Sequence, residues 1–316
     1  MKPFNIIPYD SNFNFMRLRW VSLALISLLT LAAIGLIAAK GFNFALDFTG
    51  GTGVELRFDK PVNVDQIRQK LEAAGVENPQ VQTFGSGNDL LVRLRSEGGA
   101  SATGSIAAEV QRAVSTVDNP AQVLSSAVVG AQVGKDLAIN GIWALIFVVV
   151  GFLIYISFRF EKKFAIAAIV TTLSDITIVA GWFALTRHEF DLTVLAGILS
   201  VLGYSINDKI VVFDRVRENF RSMRADPEAI LNKSINQTLS RTIIVSFVAF
   251  LTVFALYLYG GGSLQGMAEA QMIGIVLGTL SSIFAACPLL TLGFLKVTKQ
   301  DLLPKARDEE ALARRP

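Results

Sequence analysis

GYSINDKIVVFDRVREN, residues 203–219, decides how the chain is read. The residues before it, from Leu192, are nearly all apolar, and the apolar run resumes at Ile210–Phe213. Between the two stand Asn207, Asp208 and Lys209. A helix that crosses a bilayer core needs about 20 apolar residues at about 1.5 Å each. Such a helix here carries a carboxylate before it has left the lipid. An ionisable side chain at that depth is costly and marks an ion or substrate pathway.

The rest of the chain supports a membrane reading. Of its 316 residues 52% are hydrophobic and 17% charged, against about 25% charged in soluble domains. Mean hydropathy is +0.49. The pI near 9.0 reflects basic residues beside apolar runs, a topology signal and not a nucleic-acid footprint. Six stretches are long enough to span: roughly 20–39, 137–158, 164–185, 192–213, 242–259 and 270–294. The first has too long an apolar run for a cleaved signal peptide and reads as a signal-anchor. The one cysteine, Cys287, excludes an intrachain disulfide and a cysteine metal cluster, and reads as a small buried residue.

Orientation follows from the short loops. Eighteen basic residues, Arg159, Lys162, Arg215 and Arg221 among them, fall before span one, between spans two and three, between four and five, and after six. The short loops opposite, 186–191 and 260–269, hold one, Arg187. The positive-inside rule then puts both termini in the cytoplasm and residues 40–136 outside. The expected organisation is a cytoplasmic N-terminus 1–19, transmembrane helix 20–39, a periplasmic α+β domain 40–136, a five-helix bundle 137–295 with a cytoplasmic loop 214–241, and a cytoplasmic tail 296–316. In that loop Val216, Phe220 and Met223 share one helical face among arginines, as in an interfacial helix.

Residues 40–136 alternate as strands and helices: strand 54–59, helix 64–75, strands 80–84 and 90–95, helix 105–116, strand 122–129. The order β-α-β-β-α-β fits a small ferredoxin-like domain. The fold class expected is therefore a polytopic α-helical membrane protein of six transmembrane helices, with this domain between helices one and two. LDFTGGT, Leu46–Thr52, leads into it. Its glycines open backbone angles closed to other residues, and Asp47 suits a turn cap. It lacks the Lys-Ser/Thr ending of a phosphate loop. No carboxylate pair or Ser/His arrangement stands out, and the one histidine, His188, reads as a solvated loop residue. No enzyme, cofactor or metal site is expected.

Two acids lie inside spans. Asp175 is midway between Lys163 and Arg187, near the midplane, and Asp208 lies about 8 Å toward the cytoplasm. Lys209, with its long stem, reads as a snorkelling residue, and adjacent helix positions point apart. Arg241, at the cytoplasmic start of span five, is the expected partner of Asp208. Tyr204 and Ser200 continue a polar stripe above Asp208, and Thr171 and Thr172 lie above Asp175. In span six Gly266, Ala270, Gly274, Gly278, Ser282 and Ala286 recur every fourth residue, a row for close helix packing.

LDFTGGT, VVGAQVGKDL at 128–137 and GYSINDKIVVFDRVREN resemble the SecF family of protein-export membrane subunits, in the resistance-nodulation-division superfamily. The likeness covers nearly the whole chain; Ala131 departs from a frequent proline. It implies a subunit of the bacterial inner membrane that pairs with SecD beside the SecYEG channel, with YajC and SecA as further partners. Such a subunit uses the proton motive force to assist export of unfolded polypeptide, without nucleotide of its own. It further implies a proton-linked role for Asp208 and Arg241, a less defined one for Asp175, and hinges at Asp47, Gly50, Gly51, Gly130 and Gly134. The alternatives are a proton-driven exporter of a small hydrophobic molecule and a non-transporting scaffold.

Overall fold

The computed structural model describes residues 12–76, 79–84, 88–94, 103–129 and 131–298. Gly130 and the tail beyond 298 lie outside them. In chain order the elements are α1 (Arg19–Lys40), β1 (Asn43–Phe44), α2 (Leu46–Thr49), β2 (Gly51–Phe58), α3 (Val64–Ala73), β3 (Gln80–Phe84), β4 (Asp89–Leu94), α4 (Thr103–Val114) and β5 (Ala121–Val129). There follow α5 (Ala131–Arg159), α6 (Lys162–Thr186), β6 (Glu189–Phe190), α7 (Leu192–Ser222), α8 (Pro227–Tyr259) and α9 (Gly262–Ser281). A π-helical turn, Ser282–Ala286, then leads into α10 (Cys287–Leu289). Six helical stretches are long and apolar enough to cross a membrane.

These six divide by burial. Half or more of the most apolar stretch of α6, α7 and α9 is buried, whereas α1, α5 and α8 leave most of theirs exposed. With no water in the bilayer core, the exposed apolar faces suit lipid or a partner helix. The core runs from Phe164 and Val179 of α6 through Ile198, Leu202 and Phe213 of α7 to Ala270 and Ile283.

The sheet has strand order β3-β4-β2-β5, every pair antiparallel. Alternation sends Val54, Leu56, Phe58, Leu90, Val92 and Leu94 to one face, where α3 and α4 cover them with Ile67, Leu71, Val110 and Val114. Asn63 starts α3 by accepting a hydrogen bond from Asp65 N at 2.9 Å. The opposite face carries Arg93 and an ion pair between half-exposed Arg57 and buried Asp89.

The connection 214–241, read as a cytoplasmic loop with an interfacial helix, is helical over most of its length. Helix α7 runs on to Ser222 and α8 begins at Pro227, so only a short turn separates two long helices. Pro227 follows Asp226 at the helix start, where its missing N–H costs nothing. Val216 and Phe220 are buried in the resulting hairpin and do not lie on a membrane surface. Asn219 Nδ2 clips the hairpin by donating to Ser234 Oγ and Gln237 Oε1, both at 2.8 Å. The N-terminal segment lies alongside: Asn236 accepts from Phe13 N at 3.0 Å, and Asn232 from Phe15 N at 2.8 Å.

Candidate functional site

Helix α7 carries the chemistry. Asp191 caps its start, accepting from Val194 N at 2.7 Å and from the Thr193 hydroxyl at 2.8 Å. Such caps contribute about 1 kcal/mol. From there the helix is continuous past Asp208 and Lys209 to the hairpin.

Asp175 and Lys209 meet. Lys209 Nζ donates to Asp175 Oδ2 at 2.8 Å, with Lys209 fully buried and Asp175 1% exposed. The same oxygen accepts Ser205 Oγ at 2.6 Å and Ser281 Oγ at 2.7 Å. The expectation that Lys209 snorkels to the surface is therefore wrong. Helical side chains lean toward the N-terminus, which on α7 is the direction of Ser205. The stem climbs one turn inward along the helix and delivers the ammonium to Asp175. Sequence reasoning missed Ser205, Lys209 and Ser281 as partners of Asp175. The legible signal was that Ser205 and Lys209, four apart, share one face.

Asp208, one residue earlier, points elsewhere. It is 3% exposed, and Ser246 Oγ reaches its carboxylate only at a long 3.5 Å. The single Ser246 hydroxyl hydrogen goes to its own helix at Thr242 O, 2.7 Å away, and the oxygen accepts from Thr279 Oγ1 at 2.7 Å. Asp208 forms no ion pair among the described residues. Its neighbours across the helix contacts are thus hydroxyls of α8 and α9. Arg241 does not bond to it: the side chain is exposed, in a groove of about 710 Å³ lined also by Asp214, Glu218 and Gln237. The charge of Lys209, the next residue, is felt at Asp208, and that of Arg241 more weakly.

The two acids are brought close to α9 by the small-residue row. A Cβ on Gly274 would overlap Val201, and one on Gly278 would come within 3.2 Å of the Ser205 backbone. Ser282 is fully buried. The π turn begins directly after Ser281, the residue that reaches Asp175.

A second charged cluster lies at the start of α7. Asp47 Oδ2 accepts Leu192 N at 3.2 Å, so it serves the first turn of a helix 145 residues away and not only its own turn. Arg93, 5% exposed on β4, donates to Phe44 O at 3.0 Å and pairs with Glu189. Burial pushes the Arg93 guanidinium down to about 10, while the charges of Asp47 and Asp191 oppose the fall. Burial also raises Asp191 above the usual carboxylate range, against the hydrogen bonds from Val194 and Thr193. Strands β1 and β6 pair in parallel beside this cluster, Asn43 opposite Glu189 and Phe44 opposite Phe190.

The glycines nearby allow close approach. Gly51, at φ +129°, and Gly53 lie under Leu46, and a Cβ on Gly134 would stand 3.0 Å from Gly50 N. His188, at the outer edge, is not merely solvated: its Nδ1 lies 2.9 Å from Glu269 Oε2, and Glu269 also accepts Trp182 Nε1 at 2.7 Å.

Known proteins resemble this chain along most of its length. A family profile described as protein export membrane protein SecD/SecF, C-terminal, matches residues 109–295, and the SecD/SecF GG motif matches 35–62. The chain is 43% identical over 299 residues to a protein translocase subunit SecF of Pseudomonas aeruginosa, covering 93% of this chain and 95% of that protein. A SecF of Escherichia coli O157:H7 is 40% identical over 279 residues, 88% of this chain and 86% of the relative. A protein translocase subunit SecDF of Brucella abortus is 38% identical over 94% of this chain, which spans 39% of that longer protein. The crystal structure of SecDF from Thermus thermophilus, described as a translocon-associated membrane protein, superimposes with a TM-score of 0.83 at 36% identity. The match covers 92% of this chain and 39% of that one.

Proposed function

This chain belongs to the SecD/SecF family of protein-export membrane proteins, and from that premise we propose that it is the SecF-like accessory subunit of a Sec protein translocase, driven by the proton motive force. The relatives' names support the export role and count against an exporter of small hydrophobic molecules. They support a transport subunit in place of an enzyme. Relatives in which one longer chain is called SecDF support SecD as the partner. SecYEG, YajC and SecA remain expectations of the family likeness.

The orientation belongs to the same proposal. Both termini face the cytoplasm and the sheet domain, residues 40–136, faces the periplasm. The excess of basic residues on one side supports this. The strand order supports a ferredoxin-like assignment for the domain.

One observation carries the proton reading: of two buried acids, Asp175 pairs directly with an ammonium and Asp208 does not. A carboxylate in that setting is neutralised by a proton or by a cation, and Arg241 is the cation not already committed to Asp175. Export coupling then consists of Asp208 exchanging between those two states as the helices repack. Each charge moved through the membrane potential contributes about 2.3 kcal/mol per 100 mV.

The test uses the subunit with its SecD partner and channel in vesicles. Asp208→Asn should abolish stimulation of export by an imposed proton gradient while the complex still assembles. Unchanged stimulation would overturn proton coupling at this residue. Loss with assembly intact would also exclude a pure scaffold.

A further inference from the structure

We infer that Arg93 is a positioning residue that locks the sheet domain to the outer end of α7, so that the domain and the helix bearing Asp208 move as one. The observations are geometric. Arg93 sits on the open face of β4, opposite Gly53 of β2, and is 5% exposed although it belongs to a small sheet domain. What buries it is not that domain's core, which lies on the other face. It is the cap formed by β1, α2 and β6. One guanidinium nitrogen reaches Phe44 O at 3.0 Å and another pairs with Glu189. Asp47 and Asp191 are close enough to act on its charge.

The carboxylates around Arg93 all stand at the start of α7. Glu189 is three residues before the helix, Asp191 is its cap, and Asp47 holds the Leu192 N–H. The turn itself is tied down on its other side. Arg187, in left-handed backbone at φ +61°, donates to Lys40 O at 2.7 Å, and Asn43 donates to Arg187 O at 3.0 Å. The cap is thus fixed to the ends of α1, α6 and α7, and Arg93 is a side chain of the sheet that plugs into it. A planar guanidinium suits this work, since its five donors can serve a carbonyl and several carboxylates at once. Three carboxylates around one guanidinium also mean that removing Arg93 leaves like charges facing one another, so the lock opens by repulsion and not merely by loss of a bond.

The neighbouring Arg57–Asp89 pair on the same open face supplies the control. It is bidentate, at 2.8 and 3.0 Å, but both ends belong to the sheet and Arg57 is half exposed. It makes the same kind of pair without touching the cap.

Spin labels at Val117 and Tyr259 report the coupling. Val117 is fully exposed on the sheet domain and Tyr259 is exposed at the end of α8. Labels go onto cysteines there in a Cys287→Ala background, in the complex with its partner. The unaltered Arg93 protein should give one narrow distance. Arg93→Gln and Glu189→Gln should each widen the distribution about twofold or more, as a locally released unit does. Arg57→Gln should leave it narrow. A narrow distribution in both Arg93→Gln and Glu189→Gln, or equal widening in Arg57→Gln, would overturn the lock. Using two variants on opposite sides of the pair keeps the test decisive if one of them misfolds. The lock rests on the proposed function only for its use in export, and the two fail separately. Asp208→Asn should keep the narrow distance whatever it does to gradient-driven export, and widening in that variant would count against the lock.

Discussion

Two buried cations stand beside α7, and they are housed differently. Lys209, deep in the bundle, faces one carboxylate and two hydroxyls, so the cluster is charge-balanced. Arg93, at the outer end, faces Glu189 and feels Asp47 and Asp191 as well, so negative charge is in excess. The inner cluster lies where no water can help, and it is closed to solvent on every side. The outer one lies at the rim of a cavity of about 650 Å³ lined by Asp47, Glu189 and Asp191. An interior that cannot screen charge requires a matched set, whereas a wet rim tolerates surplus carboxylates. The inner cluster therefore reads as a fixed joint of three helices and the outer as one that can be opened.

That contrast can be broken in order of severity. Lys209→Met leaves Asp175 buried and unpaired, which should cost about 3–5 kcal/mol. Thermal unfolding of the purified complex measures it, and adding Asp175→Leu should recover much of the loss. No recovery would mean that the pair holds more than its own charges. Gly278→Val should cost about 1–3 kcal/mol, because the new side chain presses on the Ser205 backbone and draws Ser281 off Asp175. The same unfolding assay reads it. Gly278→Ala, which adds only the first carbon, should cost less; an equal cost would mean that crowding between α7 and α9 is not the cause. Asp47→Ala should be the mildest, about 1 kcal/mol, since a cap with water nearby has a substitute. Hydrogen exchange at the first turn of α7 would show it as local fraying, and fraying that spread to Asp208 would erase the distinction between the two clusters.

Much of this was legible in the chain. The apolar runs lead to six spans because nothing else satisfies the backbone in lipid. The alternation of Val54, Leu56 and Phe58 gives a strand with one buried face, and Asp175 and Asp208 are both buried, as acids inside apolar spans were expected to be. Other features were not legible. The direction in which Lys209 leans depends on which face of α7 meets α6, and that is a property of tertiary packing. The contacts of Asp47 with Leu192 and of Arg93 with Phe44 and Glu189 join residues far apart, with no local pattern to announce them. The helical face of Val216 and Phe220 was legible in 214–241, but that it packs inside a hairpin and not on a membrane surface depends on tertiary contacts.

Helix α7 has one further consequence. Its 31 residues make an uninterrupted rod about 46 Å long, with Asp208 near its middle. A tilt of about 5° about that point carries each tip sideways by about 2 Å. That distance exceeds what a hydrogen bond tolerates. The outer tip holds Asp47 and the inner tip holds Ser234 and Gln237 through Asn219. A swing too small to disturb the bilayer would thus disengage grips on both sides of the membrane together.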